Sequence, residues 1–114
     1  MNTPLFAGSS GYGTYRVADV VYNQRPARIL YGDGNSPQSG LALDDDPDLL
    51  FDYNQRFMEI IMSHQPQKLL VIGGGTCTLP TAVHNLFPDV VIDVVEIDAL
   101  LIELGYEFFN LPKS

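Results

Sequence analysis

The pattern of apolar and polar positions predicts strands in the first third of the chain. Residues 15–22 alternate in part between apolar and polar side chains, and residues 27–31 form a second short apolar segment. The sequence Gly32-Asp33-Gly34-Asn35 is a strong turn signal, and residues 37–43 can return as a third strand. We therefore predict a small antiparallel β unit over residues 15–43.

A helix is predicted next, from Pro47 to about Ser63. Asp46 suits the N-cap position, and Pro47 suits the first helical position. Four aspartates near this point complement a helix N-terminus more readily than they form a cation site. The predicted apolar stripe of the helix consists of Leu50, Phe57, Ile60 and Ile61.

A glycine triplet between a strand and a helix is the most informative feature of the chain. Leu69 to Ile72 is an uninterrupted apolar run, typical of a parallel strand that is buried on both faces. Gly73, Gly74 and Gly75 follow, and they allow a tight turn and a close approach of a ligand to the backbone. A helix is predicted to begin near Thr78, which directs its free N–H groups toward the same turn.

An acidic residue closes the next predicted strand, at residues 90–95. Glu96 lies 23 residues after Gly73, near the offset of about 20 residues at which an acid meets ribose hydroxyls in nucleotide-binding βαβ units. A last helix is predicted after Asp98, ending at residues 110–112. The pattern therefore favours a nucleoside site over a tight turn that binds nothing.

Together these elements predict an α/β chain. An N-terminal antiparallel β-hairpin unit at residues 15–43 is followed by a partial, truncated Rossmann-like domain of the methyltransferase type, with βαβα order, at residues 44–114. Residues 1–14 are predicted to be a flexible arm. Because a half-sheet leaves an unpaired edge, we expect a homodimer or higher oligomer whose contacts include the N-terminal β unit.

Composition narrows the choice of partners. The net charge is −8 and the pI about 4.3, which argues against nucleic acid or an anionic membrane as a partner. A cationic substrate such as a polyamine is compatible with this charge, although ordinary acidity is the simpler interpretation. One cysteine, no apolar run long enough to span a bilayer and no signal peptide together predict a cytoplasmic protein.

Several motifs occur in an order that resembles the spermidine synthase family, and most of all the bacterial spermidine synthase-like proteins with an S-adenosylmethionine-type Rossmann fold. The resemblance covers about residues 15–112. It rests on Arg28-Ile29-Leu30 before Asp33-Gly34, Gln38-Ser39, Phe51-Asp52-Tyr53, the glycine triplet with Leu79-Pro80, Leu86-Phe87-Pro88, Asp93-Val94-Val95-Glu96-Ile97-Asp98, and Tyr106 to Pro112. The family implies a role in polyamine biosynthesis.

The resemblance also implies site residues. The glycine turn would hold the tail of S-adenosylmethionine or decarboxylated S-adenosylmethionine, Glu96 the ribose, and Gln38 the nucleoside region. Tyr53 is a candidate contact for the substrate, with packing on the sheet as the alternative. No metal is expected, because the two histidines stand alone. The predicted nucleoside-binding set is Gly73, Gly74, Gly75, Thr76, Glu96 and Gln38.

Three positions depart from the family pattern. Thr76 stands where spermidine synthases have Asp, Cys77 where they have Gly, and Asn54 where they have His. Each change removes a charge or a contact used for a cationic amine, or fills a glycine position. Cys77 is either a reactive thiol near a helix N-terminus or a small residue in that glycine position.

These observations predict a spermidine synthase-like protein that binds S-adenosylmethionine or a related adenosyl-sulfur nucleoside. It would be part of an aminopropyl or methyl transferase and inactive as this fragment, because the later strand that precedes the family's catalytic acid is not present. The alternative is a non-catalytic, oligomerising domain that binds no ligand tightly. Binding of a nicotinamide nucleotide is a third, weaker interpretation.

Overall fold

The chain folds into two sheets with helices packed against them. The computed structural model describes residues 3–46 and 48–113. The first sheet is antiparallel, with strand order β1-β2-β3-β4. Its strands are β1 (Phe6–Ser9), β2 (Thr14–Tyr22), β3 (Arg25–Tyr31) and β4 (Pro37–Ala42).

The second sheet has two parallel strands joined by a helix. Lys68 pairs with Val91 at one end, and Ile72 pairs with Val95 at the other. This arrangement brings the carboxyl ends of both strands together, where Gly73 and Glu96 follow. The elements of this part are α1 (Asp52–His64), β5 (Lys68–Ile72), α2 (Thr78–Leu86), β6 (Val91–Val95) and α3 (Ala99–Phe108). The predicted α/β fold class, a β unit followed by a partial Rossmann unit, is confirmed.

The core consists of three apolar clusters. Helix α3 packs on the antiparallel sheet, where Leu104 and Phe109 meet Val17 and Leu30. A second cluster joins β3 to the residues just before α1, and a third joins α1 and α2 to β5 and β6. Within the described ranges, no helix has the length and apolar character needed to cross a membrane.

The predicted flexible arm contains a strand, so that prediction is wrong for Phe6–Ser9. These residues pair in antiparallel register with Val17 to Thr14 of β2. The side chain of Phe6 also packs on the cluster beneath α3. The pairing with β2 is a nearby hairpin, but the contact beneath α3 is distant in sequence, and a local pattern does not reveal it.

Helix α1 begins at Asp52, several residues later than predicted, and its N-cap position is Phe51. Instead of capping the helix, the aspartates before it accept hydrogen bonds from Arg25 and from nearby backbone N–H groups. Arg25 donates two hydrogen bonds to Asp44, at 3.0 and 3.1 Å, and side-chain oxygens of Asp44 and Asp46 accept backbone N–H groups two residues on. Such local bonds compete with a helix. Pro47, the predicted first helical residue, lies outside the described residues.

The prediction that β5 is buried on both faces is also wrong. Leu70 is 59% exposed and Ile72 is 78% exposed, whereas Leu69 and Val71 face the helices. On α1 the buried positions are Asn54, Met58 and Ile61, which leaves Phe57 and Ile60 about half exposed. We call the uncovered side of the parallel sheet the bare face; it consists of Lys68, Leu70, Ile72, Val91, Asp93 and Val95.

Candidate functional site

The glycine turn follows β5 and leads into α2. Gly73 and Gly75 have φ angles of 76° and 62°, in the left-handed region that suits glycine. A Cβ atom on Gly74 would collide with Cγ1 of Val94. The N–H of Gly73 donates to the carbonyl oxygen of Val95 at 2.7 Å, which fastens the turn to the end of β6.

Glu96 lies beside this turn and is bound to it. Its Oε1 accepts the N–H of Gly75 at 2.7 Å, and its Oε2 accepts the N–H of Asp98 at 2.9 Å. An ionised carboxylate can accept about four hydrogen bonds. The two backbone bonds therefore fix the carboxylate in place and leave acceptor capacity on both oxygens, which is the geometry that a pair of neighbouring hydroxyls needs.

A groove of about 400 Å³ adjoins the turn and is lined by β4, α1, β5 and the start of α2. Gln38, Tyr53 and the three glycines all line it, and the hydroxyl of Tyr53 donates to the carbonyl oxygen of Gln38 at 3.1 Å. None of the described residues that line this groove carries a charge. The structure thus gathers Gln38, Tyr53 and the three glycines around one groove, whereas Glu96 is bonded to the turn and does not line the groove.

Thr76, the remaining predicted residue, lies beneath the turn. Its side chain is fully buried, and its Oγ1 has no hydrogen-bond partner among the described residues. Helix α3 approaches it closely, because a Cβ atom on Gly105 would lie 2.7 Å from the carbonyl oxygen of Thr76. A contact between a ligand and this hydroxyl would require the turn to move.

Cys77 occupies the N-cap position of α2 with a φ angle of 65°. Only glycine adopts this left-handed conformation without a steric cost. The side chain is 3% exposed. Burial raises the pKa of the Cys77 thiol, and the negative charge of Glu96 raises it further. Of the two alternatives, the geometry favours a small residue that fills a glycine position.

We expect the Cys77 thiol to react slowly with an aromatic disulfide reagent at pH 8. Both its burial and its raised pKa reduce the thiolate fraction that can attack. The measurement is the rate of thiolate release from the reagent, with the same protein in denaturant as the control. Native labelling as fast as denatured labelling would contradict this expectation.

Two residues near the turn were not predicted as site residues. Ser39 on β4 is buried, and its Oγ lies 3.3 Å from the position that a Cβ atom on Gly75 would take. Asp98 caps α3 by accepting the N–H of Leu100 at 3.1 Å. Ser39 stands next to Gln38 in a family motif, and this neighbour was a signal that could have identified it, whereas the contacts of Asp98 depend on residues far away in sequence.

Asp98 is almost fully buried at the end of the segment that carries Glu96. Its Oδ2 accepts hydrogen bonds from Ser10 at 2.7 Å and from Tyr15 at 2.8 Å. Burial alone would raise the pKa of Asp98, but these hydrogen bonds and that of Leu100 outweigh it and lower the pKa. Burial, followed by the bond to Asp98, raises the pKa of Tyr15 to about 12. At neutral pH the pair is therefore a carboxylate and a neutral phenol.

The described residues contain no group of three or more His, Cys, Asp or Glu side chains placed to hold a metal ion. The site consists of backbone N–H donors, the carboxylate of Glu96, which two of these donors hold in place, and an uncharged groove. Such a site can bind a molecule that offers a pair of hydroxyl groups, and it can orient that molecule for a reaction.

Among known proteins, the chain is similar to aminopropyltransferases and to methyltransferases. The polyamine aminopropyltransferase of Chromobacterium violaceum is 31% identical over 88 residues, which is 76% of this chain and 34% of that protein. The human eEF1A lysine and N-terminal methyltransferase is 40% identical over 76 residues, which is 67% of this chain and 9% of that protein. The chain thus spans about a third, or less, of the length of these relatives.

A solved structure supports the same fold. The crystal structure of a probable spermidine synthase from Corynebacterium glutamicum matches with a TM-score of 0.77 and 25% identity, over 98% of this chain and 42% of that chain. No family model matches the sequence. The sequence relatives and the structural match agree with the motifs around the glycine turn, and the chain therefore has a spermidine synthase-like fold, of which it spans a part.

Proposed function

We propose that the chain binds an adenosyl-sulfur nucleoside, such as S-adenosylmethionine or decarboxylated S-adenosylmethionine, at the glycine turn, as part of an alkyl-transfer enzyme. One observation carries this proposal. The carboxylate of Glu96 is held by the N–H groups of Gly75 and Asp98 and keeps acceptor capacity on both oxygens. The relatives, which include aminopropyl and methyl transferases, support the same class of ligand.

In this proposal the residues position the ligand. The carboxylate of Glu96 accepts hydrogen bonds from the two ribose hydroxyls. The tail of the nucleoside extends over the turn toward the groove lined by Gln38 and Tyr53. The sulfonium group supplies an electrophilic carbon when the nucleoside is bound. The chain's own contribution is to bind, to orient and to exclude water, which needs no pair of acidic and basic side chains in this part of the fold.

Titration calorimetry tests the proposal with S-adenosylmethionine, decarboxylated S-adenosylmethionine and methylthioadenosine. We expect saturable binding of at least one of them at micromolar to millimolar concentration. Adenosine and ATP serve as controls for the sulfur-bearing tail and for a triphosphate. The absence of heat with all three sulfur nucleosides, in a sample shown to be folded, would refute the proposal.

The groove offers no partner for a protonated diamine. A diamine needs carboxylates near it, but the described groove residues are uncharged, and Glu96 is not among them. We therefore expect this polypeptide to form no spermidine from putrescine and decarboxylated S-adenosylmethionine. Chromatographic detection of spermidine is the measurement, with an active aminopropyltransferase as the positive control.

The variant Thr76→Asp sharpens this test. The Thr76 side chain is fully buried, and a carboxylate placed there without a partner would be strongly penalised by desolvation. We expect the variant to lose stability and to form no spermidine. Product above the uncatalysed background from either protein would show that the groove does accept a diamine.

Self-association is the alternative function, and the bare face favours it. Leu70, Ile72, Val91 and Val95 are all more than half exposed on this face, whereas parallel sheets are normally covered on both sides. We expect the chain to dimerise with a second copy, burying at least about 1,000 Å². Light scattering over a dilution series measures this, with Ile72→Asp as the disrupting variant and Met62→Asp, at an exposed position of α1, as the control. A folded monomer at every concentration would contradict it.

A further inference from the structure

Asp98 makes more contacts than a helix cap requires. Capping α3 uses only its Oδ1, which accepts the N–H of Leu100. The other oxygen accepts two hydroxyl hydrogen bonds, from Ser10 at 2.7 Å and Tyr15 at 2.8 Å. Both donors belong to the turn and strand of the β1–β2 hairpin, about 85 residues away in sequence. The hairpin is therefore bound to the start of α3 through one buried carboxylate.

The same residue also contacts the nucleoside site through its backbone. The N–H of Asp98 donates to Oε2 of Glu96 at 2.9 Å, and the other oxygen of Glu96 accepts the N–H of Gly75 at 2.7 Å. Because both oxygens of the Asp98 side chain are bonded, the residue has little freedom to rotate. The direction of its N–H group is fixed with it, and this N–H is one of the two donors that orient Glu96.

We propose that Asp98 is a positioning residue for Glu96, and that Ser10 and Tyr15 hold Asp98 in the orientation that keeps the Glu96 carboxylate ready for the ligand. The proposal rests on the proposed nucleoside site. It assigns the β1–β2 hairpin a role in ligand binding in addition to its packing against α3. Loosening the hairpin would release Glu96 without removing any residue that touches the ligand.

The test removes the hydroxyl groups of Ser10 and Tyr15 and measures the effect on the backbone amides at the glycine turn. The variants are Ser10→Ala, Tyr15→Phe and the double variant; Tyr15→Phe keeps the ring that packs in the core. Tyr12→Phe, on the exposed tip of the same hairpin, is the matched control. The readouts are amide hydrogen exchange at Gly75 and Asp98, measured by NMR, and the dissociation constant for S-adenosylmethionine.

We expect exchange at Gly75 and Asp98 to become roughly tenfold faster in the double variant, and nucleoside affinity to fall roughly tenfold, with smaller changes in each single variant. Exchange elsewhere in β5 and β6 should stay as in the control. If the wild-type protein binds no nucleoside but exchange at Gly75 responds, the positioning of Glu96 stands and the proposed function fails. If exchange at Gly75 is unchanged, or if every amide accelerates equally, the positioning role is refuted.

Discussion

Replacing Glu96 with alanine is expected to weaken nucleoside binding by about 1 to 3 kcal/mol, or roughly fivefold to 150-fold. The change removes the acceptor for the ribose hydroxyls. It also leaves the N–H groups of Gly75 and Asp98 without their partner, so the turn loses its fixed shape. Calorimetric titration of wild-type and variant proteins with the same nucleoside measures the difference.

A control variant separates the loss of the Glu96 contact from the loss of one negative charge. Glu103 is an exposed acid on α3, and Glu103→Ala makes the same change in net charge at a distance from the turn. We expect this variant to bind as the wild type does. Equal losses in both variants, or no loss in Glu96→Ala, would mean that Glu96 does not contact the ligand.

Replacing Gly105 with alanine is expected to destabilise the fold by about 1 to 3 kcal/mol, although alanine is the better helix former. The added Cβ atom would lie 2.7 Å from the carbonyl oxygen of Thr76. That neighbour is backbone and cannot rotate away, so α3 must move from the glycine turn. Thermal unfolding followed by circular dichroism should show a drop in Tm of roughly 5 °C or more.

Gly11→Ala is the matched control, because a Cβ atom on Gly11 would meet no atom within 4 Å. Its Tm should stay close to that of the wild type. A Gly105→Ala variant as stable as this control would show that α3 and the turn are less closely packed than the structure indicates.

The sequence predicted most elements correctly because their signals are local. The apolar run before the glycine triplet, the helix after it and the acid that closes the next strand all appear where the pattern placed them. Turn chemistry at residues 32–35 likewise identified the connection between β3 and β4. Such signals depend on neighbours in sequence, and a pattern can therefore reveal them.

The errors have a common physical cause. Strand β1 packs beneath α3 through Phe6, and the aspartates before α1 bind Arg25 as well as nearby backbone N–H groups. The apolar run in β5 indicated burial on both faces, but no described helix covers one of them. The packing beneath α3, the ion pair with Arg25 and the open face of β5 all belong to the tertiary fold, and a local pattern carries no information about them.

The features of the candidate site also divide into those with a local sequence signal and those that depend on the tertiary fold. The glycine turn and Glu96 were found from spacing, and Gln38 and Tyr53 from family motifs. The bond between Gly75 and Glu96 forms where the ends of β5 and β6 meet, and the hairpin contacts of Asp98 form only when the two sheets pack together. Spacing and motifs thus predicted most residues of the site, and tertiary packing determines how the Glu96 carboxylate is held.

The most direct test of the nucleoside site is an NMR titration of the isotope-labelled protein with S-adenosylmethionine, repeated with methylthioadenosine. The proposed site predicts saturable shifts of the amide signals of Gly73, Gly74, Gly75 and Asp98, with little change at the hairpin tip or the far end of β6. If these four signals stay fixed up to millimolar nucleoside, or if the shifts cluster elsewhere, the glycine turn is not a nucleoside site.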